Sequence, residues 1–269
     1  MIRTPSYPDR VTPARCWIAR VLVVVMSLPS LPAFAAPPVA ADNRTQVELT
    51  PNGVPLIDIA RANAAGVSHN RYQRFDVDRQ GLILNNSTEV QRSLLAGTVR
   101  ENANLQGQAA TVILNEVVSA NRSQLNGYIE IHGRAAELVI ANPYGITCNG
   151  CGFINTPRVT LSTGLPTFEQ DGRLGGFEVR QGDILVGADG LDASETAYFD
   201  LLTRSLRVDG PIWAQALAAT TGRFDQTYAG RVTTVDSSVS SDVPPTVSID
   251  VAALGGMYAN RIRLMSTER

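Results

Sequence analysis

The sequence predicts an all-β chain whose short strands are joined by tight corners, and three observations predict it. Short runs rich in Val, Ile, Leu, Thr and Phe recur at 81–84, 111–114, 128–131, 138–141, 159–162, 177–180 and 184–186, separated by Gly, Asn, Asp and Pro. Residues 141–156, ANPYGITCNGCGFINT, crowd Asn142, Pro143, Gly145, Asn149, Gly150, Gly152 and Asn155 together. Asn and Gly tolerate left-handed backbone and Pro fixes φ at a turn, so this stretch reads as strands meeting at bends. Finally, Val139, Val159, Val179 and Phe199 stand twenty residues apart, each inside a strand-like run. A period of that size is what a solenoid produces when each coil stacks on the last. The pattern alone leaves a β-sandwich or an up-and-down barrel open. Asn-Gly loops at 51–53 and 125–128 are the sites where antiparallel hairpins are expected.

The front end reads as an export signal. Arg3, Arg10, Arg15 and Arg20 form a positive region, 21–31 a short apolar core, and LPAFAA a small-x-small cleavage site before Ala36. The apolar run is broken by Pro29 and is too short for a bilayer span, so no stable membrane anchor is expected. The expected division is a signal peptide at 1–35, a loose leader at 36–49 and one β-domain at 50–269, long enough to bury a core.

Composition excludes several chemistries. The formal net charge is −2, which predicts neither nucleic-acid binding nor electrostatic membrane attachment. Every basic residue is arginine, so there is no Schiff-base lysine and no P-loop lysine. Cys16 falls in the signal segment. Cys148 and Cys151 travel to an oxidising compartment, where a disulfide clipping the corner or a pair of buried thiols are both open. Redox chemistry would need a helix N-terminus in an α/β fold, and a metal site more ligands than two Cys and the distant His69 and His132. No metal, cofactor or catalytic residue is expected. Asp76 and Asp78 share one face of a strand, and Glu116 and Glu137 stand alone. Thr160, Arg180 and Asp200, at successive twenty-residue steps, do not make the carboxylate cluster of a polysaccharide lyase or hydrolase. No Gly-x-Ser-x-Gly occurs.

Three later segments complete the reading. Residues 191–206 carry candidate caps at Asp192 and Ser194 with apolar residues at helical spacing, yet sit where a coil is due, so helix and strand both stay open. The polar stretch 220–245 reads as a loop or excursion, and order returns at 247–264.

The spelling of the chain resembles a family. NPYGITCNGCGFINTPRVTL is similar to the central motif of the two-partner secretion (TPS) domain, the N-terminal module of filamentous haemagglutinins and related exoproteins. Further similar stretches are Gly66-Val67-Ser68-His69-Asn70, Phe75-Asp76-Val77-Asp78, 81–87, 113–117 and 123–127, and 247–264 resembles the closing motif. The resemblance runs from about Thr50 to Thr267. It implies a right-handed parallel β-helix with accessory antiparallel hairpins, acting as secretion signal and folding seed. It implies a partner, the POTRA domains of a TpsB-type outer-membrane transporter, and passage through the periplasm of a Gram-negative cell to the exterior or cell surface. The alternative is an adhesin surface binding glycans or host cells, an activity the family generally places in a downstream region.

Two secretion motifs of the family map onto this chain. One is Asn142-Pro143-Tyr144-Gly145 followed by Ile146. The other is Asn102-Ala103-Asn104-Leu105, with Ala where the family has Pro. That change frees φ and restores an N–H, so a less rigid corner is expected. Both motifs are read either as structural corners or as residues that touch the transporter.

Overall fold

The computed structural model describes residues 36–235, 245, 247–252 and 255–268; the signal assignment at 1–35 lies outside them. Among the described residues there is no α-helix, and the strands pair chiefly in parallel. They wind round one axis in the right-handed sense that parallel crossovers take, and each coil contributes to three faces.

Face A stacks Val67–Arg74, Val112–Val117, Glu137–Ala141, Arg158–Ser162 and Tyr198–Thr203 in parallel. Face B stacks Ser123–Leu125, Ile146–Cys148, Asp183–Val186, Ser205–Val208 and Ile249–Val251. Face C stacks Pro55–Asp58, Leu82–Asn86, Tyr128–Gly133, Cys151–Ile154 and Leu191–Ala193. The long strands Pro211–Thr221 and Gly256–Ser266 bend from face C into face A, pairing with one another along both.

Inward residues form columns because pairing in register repeats the same position. On face A, Ile113, Leu138, Val159, Phe199 and Leu217 follow one another, all in the same buried cluster. On face B, Leu125, Cys148, Val186 and Val208 do likewise. Each aliphatic side chain removed from water in this way contributes roughly 1.5–3 kcal/mol.

The twenty-residue recurrence is not the coil register. Leu138, not Val139, stands opposite Val159, and Val159 pairs next with Phe199. The skipped residue, Val179, ends the antiparallel strand Leu174–Val179, an excursion from the coil. Excursions of this kind lengthen some coils and leave others short. Asp192 and Ser194 cap no helix either: 191–206 is strand and corner. The polar stretch beginning at 220 carries the hairpin Phe224–Thr227 and Val232–Thr234. Of the two Asn-Gly sites, 51–53 joins the antiparallel pair Gln46–Leu49 and Pro55–Asp58. The site at 125–128 turns a corner from face B to face C instead. Within 36–49, Val39–Ala40 also pairs antiparallel to face A.

The accessory hairpins cover two faces. Leu165–Phe168, Leu174–Val179, Phe224–Thr227 and Val232–Thr234 form one antiparallel sheet. Leu174, Phe177, Val179 and Phe224 from it pack on Leu114, Val139, Ala141 and Leu202, the outward side of face A. Face A is therefore buried on both sides, which is why ELVIA reads as a continuous apolar run and not an alternation.

The hairpin Gln91–Ser93 and Gly97–Val99 lies against face C, with Val99 and Leu95 on Ile83 and Leu56. The Glu130 carboxylate, buried on face C, holds its tip. It accepts from Ser93 Oγ at 2.6 Å and from the Leu94 and Leu95 N–H groups at 2.9 and 3.0 Å. Replacing Glu130 with Ala leaves the Ser93 hydroxyl and the Leu94 N–H without this acceptor, while the Leu95 N–H keeps Ser93 Oγ at 3.1 Å, and is expected to cost about 2 kcal/mol. Urea unfolding should show the loss, and trypsin should cut faster after Arg92. Unchanged cleavage there would mean the carboxylate does not hold the hairpin.

Candidate functional site

A β-helix has a weak point at every corner, where strand pairing stops and buried carbonyls lose their partners. The two stretches that resemble the family's secretion motifs occupy such corners, and their leading asparagines do the same work. Asn142 is fully buried between face A and face B. Its Nδ2 donates to Asn121 O at 2.9 Å and to Ser123 Oγ at 3.0 Å, both on the preceding coil. Its Oδ1 accepts the Tyr144 N–H at 3.0 Å, closing an Asx turn. Its own N–H donates to Ser162 O on the following coil. One side chain and one peptide thus tie three successive coils.

Asn102 repeats the device. Its Nδ2 donates to Ile59 O at 3.0 Å and Asn85 O at 2.9 Å, and its Oδ1 accepts the Asn104 N–H at 2.9 Å. Asn102 is the N-cap of a single 3-10 turn, Ala103–Leu105, and Leu105 is fully buried in the central core. Asn104 Nδ2 bridges to Gln46 Oε1 at 2.5 Å. The corner is formed although Ala103 stands in the proline place, because the cap, the Asn104 bridge and the Leu105 anchor fix it.

The corner at 142–145 has a brace that the sequence reading missed. Gly145 has φ +102°, and a Cβ there would lie 2.3 Å from Arg122 Nη1. Through the space so left, Arg122 reaches Asp183 with two bonds of 2.8 Å, Thr147 Oγ1 at 2.8 Å and Ile146 O at 3.0 Å. Arg122, Thr147 and Asp183 belong to consecutive coils, so the guanidinium fork clamps the stack from outside. The only hint in the chain was Asn121-Arg122 ahead of the strand at 123–125. Without the coil register nothing connects Arg122 to Asp183, sixty-one residues away.

The motifs divide by exposure. Asn142, Pro143, Gly145 and Ile146 are buried, whereas Tyr144 is 48% exposed. Asn102 and Leu105 are buried, whereas Ala103 is exposed and Asn104 half-buried. Ala103 and Asn104 also line a cleft of about 590 Å³, together with Arg44, Arg61, His69 and Phe168. At the next corner Cys148 and Cys151, buried at the turn from face B to face C, are joined by a disulfide.

The other polar residues singled out earlier are structural partners. Glu116 binds His69 Nε2 at 2.7 Å, and Glu137 receives the Tyr228 hydroxyl. Thr160 and Asp200 stand side by side on face A, but Arg180 follows the end of the antiparallel strand Leu174–Val179 and bonds to Asp225. Asp200 is itself neutralised by Arg158 at 2.8 Å. Asp76 Oδ1 accepts the Gln124 N–H.

Two stability changes follow from this geometry. Asn142→Ala strands the Asn121 carbonyl and Ser123 hydroxyl in a buried corner and is expected to cost about 3 kcal/mol in urea unfolding. A loss below about 1 kcal/mol would remove Asn142 from its role as clamp. Ala103→Pro should do the reverse. Asn102 is extended, at φ −90° and ψ 106°, as a residue before proline must be, and Ala103 opens the turn. The substitution should stabilise the domain by about 0.4–1 kcal/mol; a fall in the unfolding midpoint would contradict it.

Comparison with known proteins agrees with this architecture. The family model described as the TPS secretion domain matches residues 35–269. The chain is 48% identical over 254 residues to the tRNA nuclease CdiA of Yersinia mollaretii, covering 94% of this chain and 8% of that protein. It is 44% identical over 260 residues to the 16S rRNA endonuclease CdiA of Enterobacter cloacae, covering the same 94% and 8%. The chain thus spans only about 8% of the length of these relatives. Among solved structures, the crystal structure of a filamentous hemagglutinin secretion domain matches with a TM-score of 0.80 at 33% identity, over 87% of this chain and 80% of that one. The chain belongs to the family of TPS secretion domains.

Proposed function

We propose that this domain is recognised by the periplasmic POTRA domains of a TpsB-type transporter through the exposed rim of its Asn-led corners, while the buried residues of those corners hold the fold. As a TPS secretion domain it directs export through the periplasm to the cell surface or the medium. The observation that carries the finer reading is the split within each motif. Asn142, Pro143, Gly145 and Ile146 are spent on internal contacts, leaving Tyr144 half exposed at the tip; Ala103 plays the same part at the first corner. An exposed aromatic on a rigid turn is a suitable anchor for a partner.

In the same reading, residues 1–35 are removed as a signal peptide and 50–269 form the transported β-helix, with 36–49 leading into it. The emerging chain adds strands to a sheet edge of the transporter before it folds, so that backbone N–H and C=O groups are never left bare. Coils then stack outside the cell and seed the folding of whatever follows. Contact with a host surface would belong to such a downstream region. The nuclease names belong to the whole relatives, and we assign no catalysis to this module.

Secretion, transporter binding and stability measured on the same variants test the proposal. Tyr144→Ala removes a side chain without an internal hydrogen bond and should change stability by no more than about 0.5 kcal/mol. It should nevertheless lower binding to isolated POTRA domains and secretion several-fold. Asn142→Ala should lower secretion together with stability. If Tyr144→Ala binds and is secreted like the parent, the corner is structural and the recognition surface lies elsewhere.

A further inference from the structure

Tyr128, Gly152, Asp192, Trp213 and Tyr258 follow one another in register on the outer side of face C, one per coil. Their strand neighbours Ile129, Phe153, Leu191, Ile212 and Met257 belong to or pack against the central core, so by alternation the column points outward. Tyr128, Trp213 and Tyr258 are between 40% and 51% exposed.

The column is shaped around its glycine. A Cβ on Gly152 would lie 2.3 Å from Tyr128 Cε1, so the phenol ring occupies the place where a side chain would stand. The ring crosses that coil and its hydroxyl donates to Asp192 Oδ2 at 2.8 Å. On the other side, Trp213 stacks on Tyr258 with centroids 4.5 Å apart and planes 17° from parallel. Trp213 is in turn the register partner of Asp192 on the next coil. The result is an outward row in which the Asp192 carboxylate stands between a phenol and an indole.

Asp192 accepts from the Ser194 N–H and hydroxyl as well as from Tyr128, and meets no cation among the described residues. Burial pushes its carboxyl up, but the Ser194 and Tyr128 bonds outweigh that and leave it below the ordinary carboxylate value. It is charged at neutral pH. Glu195, exposed three positions on, also has no ion pair among the described residues. A carboxylate without an ion pair, set between half-exposed aromatic side chains, complements a positive charge: the carboxylate attracts it and the exposed ring faces add to that attraction. An anion would be repelled, and a neutral ligand would leave the charge unmatched.

We propose that the outward Tyr128–Asp192–Trp213 row binds a guanidinium or ammonium group on an extended basic segment of a partner protein. The column runs along the coil axis, so an extended segment can lie against successive coils. It lies on face C, away from the corner of Asn142 between faces A and B, and is independent of the transporter reading.

The test uses the full chain carrying Trp17→Phe, which leaves Trp213 as the sole tryptophan. It is titrated with acetyl-(Gly-Arg)3-amide, acetyl-(Gly-Gln)3-amide and a neutral β-1,4-glucan hexamer, followed by tryptophan fluorescence and calorimetry. The arginine peptide should give a saturable response, and Asp192→Asn should weaken it at least fivefold with an unchanged unfolding midpoint. The response should also fade as pH falls below the ordinary carboxylate range, where Asp192 takes up its proton. Trp213→Leu, followed by calorimetry, should weaken it comparably and serves if Asp192→Asn fails to fold. Equal responses to the arginine and glutamine peptides, or full binding by either folded variant, would overturn the proposal. Binding of the glucan with no response to the arginine peptide would overturn it in favour of a saccharide site.

Discussion

The structure depends on how its corners satisfy buried backbone groups. Along the three faces, strand pairing provides a partner for each N–H and C=O. At a corner the chain changes direction, pairing lapses, and a bare buried carbonyl costs about 1–3 kcal/mol. A carboxamide solves this because it is donor and acceptor at once. Asn142 and Asn102 each cap their own turn with Oδ1 and satisfy carbonyls of other segments with Nδ2. Asn86 and Asn155 repeat the donor half of the device, each bonding two carbonyls. Aspartate could cap but not donate, and alanine could do neither. The asparagine-rich spelling is thus a consequence of stacking coils whose corners are buried.

The second constraint is that a solenoid face left to water wastes apolar burial. Here the excursions solve it: one antiparallel sheet covers face A and one hairpin covers the first coils of face C. The sheet over face A is assembled from two excursions far apart in sequence, Leu165–Phe168 with Leu174–Val179 and Phe224–Thr227 with Val232–Thr234. It is tied back to the start of the domain by Asn63 Nδ2 on Gly172 O and by the contact of Phe168 with His69. Face A is consequently a buried sheet between two cores, and the coils beneath it are braced over a long span of the axis.

What was legible in the sequence was whatever is local. The strands announced themselves through β-branched and aliphatic runs, and the corners through Asn, Gly and Pro. The proline-free corner was legible as a motif, but the bonds by which Asn102 holds it were not, because their partners Ile59 and Asn85 come from other segments. The register was not legible, since an excursion hides inside a coil without changing its spelling. Val179 looks like the inward residue of a strand and is one, but of a different sheet. Arg122 was invisible for the same reason: its partners Thr147 and Asp183 become neighbours only once the coils are counted correctly. The aromatic column on face C escaped too, because aromatic content says nothing about alignment, and three rings in one line need the register to be seen.

The same division between local and non-local contacts bears on how an exported chain folds. The Asx turns at Asn102 and Asn142 span two residues and can close before any other coil is in place. The bonds that make the corners stable come from coils before and after: Asn121 and Ser123 precede Asn142, and Ser162 follows it. A coil is therefore complete only when the next has emerged to pair with it. Closing such long loops in one step would be slow, whereas adding one coil to a finished edge keeps each closure short. On the proposed route, burial on the exterior would oppose return of the chain, since withdrawal of a coil would strip the partners from the carbonyls of its neighbour.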